Sequence, residues 1–176
     1  MKKNSAVTVI AQSNHLRFVR RGTWEYVERK GISGIVGIVA VTPENKLLLV
    51  EQFRPPLNKC VVELPAGLAG DIPSARTEAL ATAAKRELLE ETGYRARSMK
   101  YLAEGTSSAG LCDEVITLFR ATGLTKVNAG GGDAHEKIVV HEIPLRQLRN
   151  WLTRKQRAGC QIDLKIFAGL YFVEGR

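Results

Sequence analysis

Two apolar runs, residues 35–41 and 47–53, flank the short segment Thr42-Pro43-Glu44-Asn45. Strands apolar on both sides must be covered on both faces. The Pro and Asn between them have the chemistry of a hairpin turn. Upstream, apolar and polar residues alternate with period two, predicting strands over residues 6–11, 16–20 and 24–29. Ser13-Asn14 and Arg21-Gly22 separate them. Downstream, the spacing predicts a helix over residues 77–92, closed by Gly93 as a left-handed cap. Strands follow near 98–102, 115–120 and 137–143, and helices over 145–156 and 163–173. Mostly antiparallel strands with three helices predict an α/β chain whose mixed sheet is covered on both faces.

The chain has 176 residues, enough for one domain with its own core and no need of disulfide or metal staples. No repeat, low-complexity stretch or long linker interrupts it. No apolar run reaches the roughly 20 residues of a membrane helix, so no membrane partner is expected. The basic start Met1-Lys2-Lys3 runs into a polar, alternating stretch and is not read as a signal peptide. Cys60, Cys112 and Cys160 are widely spaced and odd in number, which suits buried thiols in a reducing cytoplasm. The net charge of +8 is scattered over short clusters such as Arg20-Arg21 and Arg154-Lys155. With no aromatic-rich motif beside it, this charge is read as solvated surface and phosphate-binding groups rather than a nucleic-acid face.

The informative segment is Lys85-Arg86-Glu87-Leu88-Leu89-Glu90-Glu91-Thr92-Gly93-Tyr94. On a helix Glu87 and Glu91 share a face, one turn apart, and Glu90 flanks them. Like charges at that spacing repel, and here they sit at the negative end of the helix dipole, where cations are favoured. A solvated acidic helix end is the bland reading. A hard divalent cation held among the carboxylates is the functional one, since Mg²⁺ prefers carboxylate oxygens and keeps several waters. Arg86 is expected to pair with Glu90 or with an acid one to two turns back, leaving Glu87 and Glu91 free.

The run from Arg86 to Tyr94 resembles the second half of the Nudix box, G-x5-E-x7-R-E-U-x-E-E-x-G-U, and Glu78 falls where the box has its first Glu. Thr23-Trp24-Glu25-Tyr26-Val27-Glu28-Arg29, Glu51-Gln52-Phe53-Arg54-Pro55-Pro56 and Glu63-Leu64-Pro65-Ala66-Gly67-Leu68 are similar to the ADP-ribose and ADP-sugar pyrophosphatase branch of that family. The resemblance implies a Nudix fold, an α/β/α sandwich around a mixed sheet over residues 34–176, with an N-terminal antiparallel segment over 1–33. It implies Mg²⁺, or Mn²⁺ in its place, held by Glu87 and Glu91 with the main-chain carbonyl of Ala66, and Glu78 binding or orienting through Arg86. Trp24 would stack on adenine, Arg29 and Arg54 would contact the diphosphate, and Glu136, or failing that Glu90, would accept a proton from water.

The same resemblance implies a homodimer in which the N-terminal strands are exchanged, so that Trp24 and Arg29 can serve the neighbouring site. The reaction implied is Mg²⁺-dependent cleavage of ADP-ribose or a related ADP-sugar to AMP and a sugar phosphate. Two departures bear on this. The box glycine falls at Gly67, not at position 72, so the loop before Glu78 is longer, and Ala109 stands where ADP-ribose enzymes often have Pro. Two alternatives therefore stay open: a Nudix hydrolase of another nucleotide sugar or dinucleotide such as GDP-mannose, and a silent nucleotide- or RNA-binding module. The glycines Gly130 to Gly132 lack the lysine of a P-loop and are read as a mobile loop. His15 and His141 have no partner spacing, and Trp151 is read as packing.

Overall fold

The computed structural model describes residues 6–72, 74, 76–132 and 137–175. Three N-terminal strands, β1 (Val7–Gln12), β2 (Leu16–Arg21) and β3 (Trp24–Arg29), precede β4 (Gly34–Ala40), β5 (Lys46–Arg54), β6 (Lys59–Glu63) and β7 (Ala66–Ala69). Helix α1 (Leu80–Thr92) leads into β8 (Tyr94–Thr106), β9 (Val115–Lys126) and β10 (Val139–Pro144). Helix α2 (Leu145–Arg157), the short β11 (Gln161–Ile162) and α3 (Leu164–Val173) close the chain.

The two apolar runs become β4 and β5, and the turn between them forms. Thr42 N–H donates to the Lys46 carbonyl at 2.8 Å, and Asn45 takes φ 57°. The hairpin goes no further than a single bridge between Val41 and Leu47. Beyond it β4 enters a sheet of order β7-β4-β9-β8 and β5 a second of order β10-β5-β6-β11. The reason lies in the runs themselves. Both faces of both strands are apolar, so stacking the strands in separate sheets buries more surface than pairing them along one.

Both sheets are mixed. β4 runs parallel to β9 and β11 parallel to β6, and the other pairs are antiparallel. On one face of β4, Val36, Ile38 and Ala40 pack with Ala83, Ala84 and Leu88 of α1. On the other, Val39 packs with Leu47, Leu49 and Val62 and with Leu148, Leu152 and Ile166 of α2 and α3. Helix α1 thus covers one face of β4, and α2 and α3 pack into the cluster on its other side. Complete burial of a side chain such as Leu88 contributes about 1.5–3 kcal/mol.

Helix α1 starts at Leu80, later than residue 77, and Ala79 at its N-cap is extended and offers no side-chain acceptor. Gly93 closes it with φ 74°, its N–H donating to the Leu89 carbonyl. β1, β2 and β3 form their own antiparallel sheet, joined to the rest where Val27 N–H meets the Leu111 carbonyl at 2.8 Å. Among the described residues no helix is long and apolar enough to cross a membrane.

Candidate active site

The carboxylates of α1 reach a cleft of about 620 Å³ at the β7 side of the sheet. Glu91 is 4% exposed, and its Oε2 accepts the Ala66 N–H at 3.0 Å. Ala66 thus meets Glu91 through its N–H, which leaves the metal contact expected of its carbonyl as a separate matter. Glu87 lies against Gly67, where a Cβ would stand 2.0 Å from the Glu87 carboxyl carbon. Only glycine leaves room for that carboxylate. Glu90, whose side chain is half exposed, stands beside them.

Arg86 ties the acids together. Its Nη1 donates to Glu87 at 2.8 Å and Glu90 at 3.2 Å. Its Nη2 donates to the Leu68 carbonyl at 2.9 Å, Glu78 at 3.0 Å and Asp71 at 3.3 Å. Pairing with Glu90 and with an acid nearer the helix start was the expectation. Glu87, expected to be left free, is paired as well, because the guanidinium carries five N–H donors in one plane and the two residues are adjacent. Glu78 itself lies before the helix, buried, and also takes the Gly70 N–H at 3.4 Å.

Three acids at the negative end of a helix need compensation, and part of it comes from the glycine run. Gly131 N–H donates to the Glu91 carbonyl at 2.8 Å and Gly132 N–H to the Glu90 carbonyl at 3.1 Å. These carbonyls belong to the last turn and lack helical partners. A Cβ at Gly130 would lie 2.4 Å from the Thr92 carbonyl carbon, and Gly130 to Gly132 all have positive φ. The run expected as a mobile loop is, over these residues, a backbone cap on the carboxylate-bearing end of α1. Residues 133–136, with His135 and Glu136, lie outside the described residues.

The cleft is also lined by Gln52 and Arg54 of β5, Glu63 of β6, Arg29 of β3, Glu114 and Lys165. Arg54 Nε donates to Glu63 at 2.8 Å, and Arg29 Nε donates to Glu114 at 3.0 Å. Strand alternation sends Glu51 to the other face of β5, where it bonds His141 at 2.7 Å and Lys155 at 2.5 Å. His141 thus has a partner its spacing did not indicate, and Trp151 packs edge-on to its ring at 4.8 Å. Arg86, Glu87, Glu90, Glu91, Ala66, Arg29 and Arg54 line one cleft, with Glu78 behind Arg86. Trp24 is not part of that lining and is 61% exposed, near Gly110. Asp71, Glu63, Glu114 and Lys165 went unread in the sequence, since each reaches the cleft only through tertiary contact. A shallower hollow of about 680 Å³, around Lys126, Gly130 and Glu142, holds none of the expected site residues among the described residues.

Among the described residues no three acidic, histidine or cysteine side chains form a ready-made metal cage. The donor set still fits a hard cation, because carboxylate oxygens of Glu87, Glu90 and Glu91 face one cleft and Gly67 keeps Glu87 accessible. The electrostatics agree. Burial pushes the Glu87 carboxyl up to about 7; Arg86 pulls it down, while Glu90 and Asp71 raise it further. A cation would reverse that cost.

A pH dependence follows with a definite sign. In the unfolded chain Glu87 titrates near its ordinary 4.5, below its folded value of about 7. Between these values the folded protein binds the extra proton, so stability falls as pH rises. The contribution is complete below about 4.5 and gone above about 7. Urea titrations in chelator from pH 5 to 8 should show this decline, and Glu87→Gln should flatten it. An equal slope in both proteins would place the effect elsewhere.

The NUDIX domain family model matches residues 33–160, most of the chain. The chain belongs to the Nudix family. Among its curated relatives, a methanol dehydrogenase activator of Bacillus methanolicus is 40% identical over 124 residues, 70% of this chain and 64% of that protein. An ADP-ribose pyrophosphatase of Bacillus subtilis is 39% identical over 113 residues, 64% of this chain and 58% of that protein. The chain thus spans less than two thirds of either relative. A solved structure of an ADP compounds hydrolase superposes with a TM-score of 0.67 at 19% identity, over 97% of this chain and 94% of the other. That likeness shows the Nudix fold, an α/β arrangement of mixed sheets with the N-terminal antiparallel sheet.

Proposed function

We propose that this Nudix cleft hydrolyses the pyrophosphate bond of ADP-ribose or a related ADP-sugar, giving AMP and a sugar phosphate. One observation carries the reading: Glu87, Glu90 and Glu91 line the same cleft as Arg29 and Arg54. The clustered acids suit a divalent cation, and the arginines suit phosphate oxygens. The Bacillus subtilis relative, named an ADP-ribose pyrophosphatase, supports the substrate class.

Glu87 and Glu91 hold the cation, with Glu90 beside them, and Ala66 N–H keeps Glu91 in place. Bound there, Mg²⁺ or Mn²⁺ supplies charge neutralisation at the diphosphate and acidifies the attacking water. Arg29 and Arg54, each backed by a glutamate, grip the diphosphate oxygens. Glu136 takes the proton from water, with Glu90 the second choice. Glu78 acts through Arg86, which sets the position of Glu87. Trp24 lies outside the cleft of its own chain, so its stacking on adenine requires a homodimer in which it reaches a neighbouring site.

Because no described cleft residue selects the base, another nucleotide sugar or a dinucleotide is the second reading. The test is AMP and phosphate release from ADP-ribose, ADP-glucose, GDP-mannose, a dinucleoside polyphosphate and nucleoside triphosphates, with and without Mg²⁺. AMP release that needs Mg²⁺ and is fastest with ADP-ribose is expected. Turnover confined to a guanine substrate would discard the ADP-sugar class and keep the metal site. Binding without any turnover would mean a silent module.

A further inference from the structure

Helix α3 lies along β4 in a way that brings one unassigned cation into the cleft. Gly169 stands over Val39, where a Cβ on the glycine would come within 3.0 Å of Val39 Cγ2. One turn nearer the helix start, Lys165 stands over Gly37, its Cδ 4.0 Å from where a Cβ of that glycine would be. Residues 35, 37 and 39 share one face of β4. Along that face Val39 is in the core, Gly37 lies under Leu118 with the Lys165 stem at its margin, and Ile35 lines the cleft together with Lys165.

The lysine stem therefore passes beside Gly37 and lines the cleft, while its ammonium pairs with Asp163. Gly37 is the register partner of Ala66, the residue whose N–H holds Glu91. The acids reach the cleft from α1, packed on one face of this sheet, and Lys165 reaches it from α3 on the other. Asp163 holds the lysine at both ends. Its Oδ1 accepts the Lys165 backbone N–H at 2.7 Å, and its Oδ2 pairs with Nζ. The Lys165 side chain remains 25% exposed, and an ammonium on a flexible stem can share its three donors between Asp163 and an incoming anion.

We propose that Lys165 is a substrate-binding residue, a third cation that contacts the diphosphate together with Arg29 and Arg54. This inference rests on the reading of the cleft as a nucleotide-sugar site. The free protein keeps the ammonium poised on Asp163, and the bound phosphate shares it.

The experiment measures the affinity for ADP-ribose by calorimetry without added metal, and KM with Mg²⁺, for wild type, Lys165→Met, Lys165→Arg and Asp163→Asn. Asparagine can still accept the helix N-cap bond, so Asp163→Asn breaks the same ion pair from its other side. Lys165→Met should weaken binding and raise KM by roughly tenfold to a hundredfold, the worth of one hydrogen bond to a charged group. Lys165→Arg should recover most of that loss, and Asp163→Asn should bind at least as well as wild type. Equal weakening in Lys165→Met and Asp163→Asn would reduce Lys165 to a structural partner and overturn the inference. Wild-type affinity in Lys165→Met would overturn it too. If the wild type itself neither binds nor cleaves any nucleotide sugar, the reading of the cleft falls, and this inference with it.

Discussion

Glu91→Gln is expected to lower turnover by roughly a hundredfold to a thousandfold, the order of loss when one electrostatic contact that stabilises a transition state is removed. The fold should survive, because the amide oxygen can still accept the Ala66 N–H that now meets Glu91 Oε2 at 3.0 Å. What is lost is a negative charge on a side chain only 4% exposed, where no solvent charge can replace it. Steady-state kinetics over a range of Mg²⁺ concentrations check this. A metal-binding role predicts that kcat falls and that the Mg²⁺ requirement shifts upward. Near-normal kcat at ordinary Mg²⁺ would remove Glu91 from the metal site, whatever the substrate proves to be.

Arg86→Met should have the largest effect on stability. The guanidinium serves Glu78 and Glu87, side chains only 8% and 13% exposed, and the Leu68 carbonyl. Methionine fills comparable space and leaves these acceptors without their donor. Removing one partner of a buried ion pair costs about 3–5 kcal/mol. Asp71 and Glu90 are better solvated, and their pairs with Arg86 add little. Urea denaturation near pH 8, where Glu87 is ionised, measures the loss directly. A loss below about 1 kcal/mol would mean that water already screens the network as it does surface pairs.

Several elements were legible in the chain because their signals are local. Gly93 follows the last turn of α1 and takes the left-handed conformation that only glycine adopts cheaply. The repulsive spacing of Glu87, Glu90 and Glu91 marked the site without reference to any distant residue. Residues 47–53 read as a strand through the apolar run Leu47-Leu48-Leu49-Val50 that opens them, and they fall within β5. Other elements left no such mark. β7 is four residues long and contains glycine, and β11 is two residues long, too short for any period to show. The split of β4 and β5 into different sheets depended on which partners covered their second faces. The glycines at 130–132 looked mobile because their hydrogen-bond acceptors, the carbonyls of Glu90 and Glu91, lie far earlier in the chain.

The sequence by itself determined the helix with its three carboxylates, the arginine among them and the family to which the pattern belongs. These are properties of residues within a turn or two of each other, where helical geometry alone places side chains side by side. Only the tertiary structure decided what faces those carboxylates. Arg54 with Glu63, Arg29 with Glu114 and Lys165 over Gly37 come from strands and a helix separated along the chain. Their meeting follows from stacking two apolar sheets and laying α3 along β4, a packing driven by non-directional burial that no local period encodes.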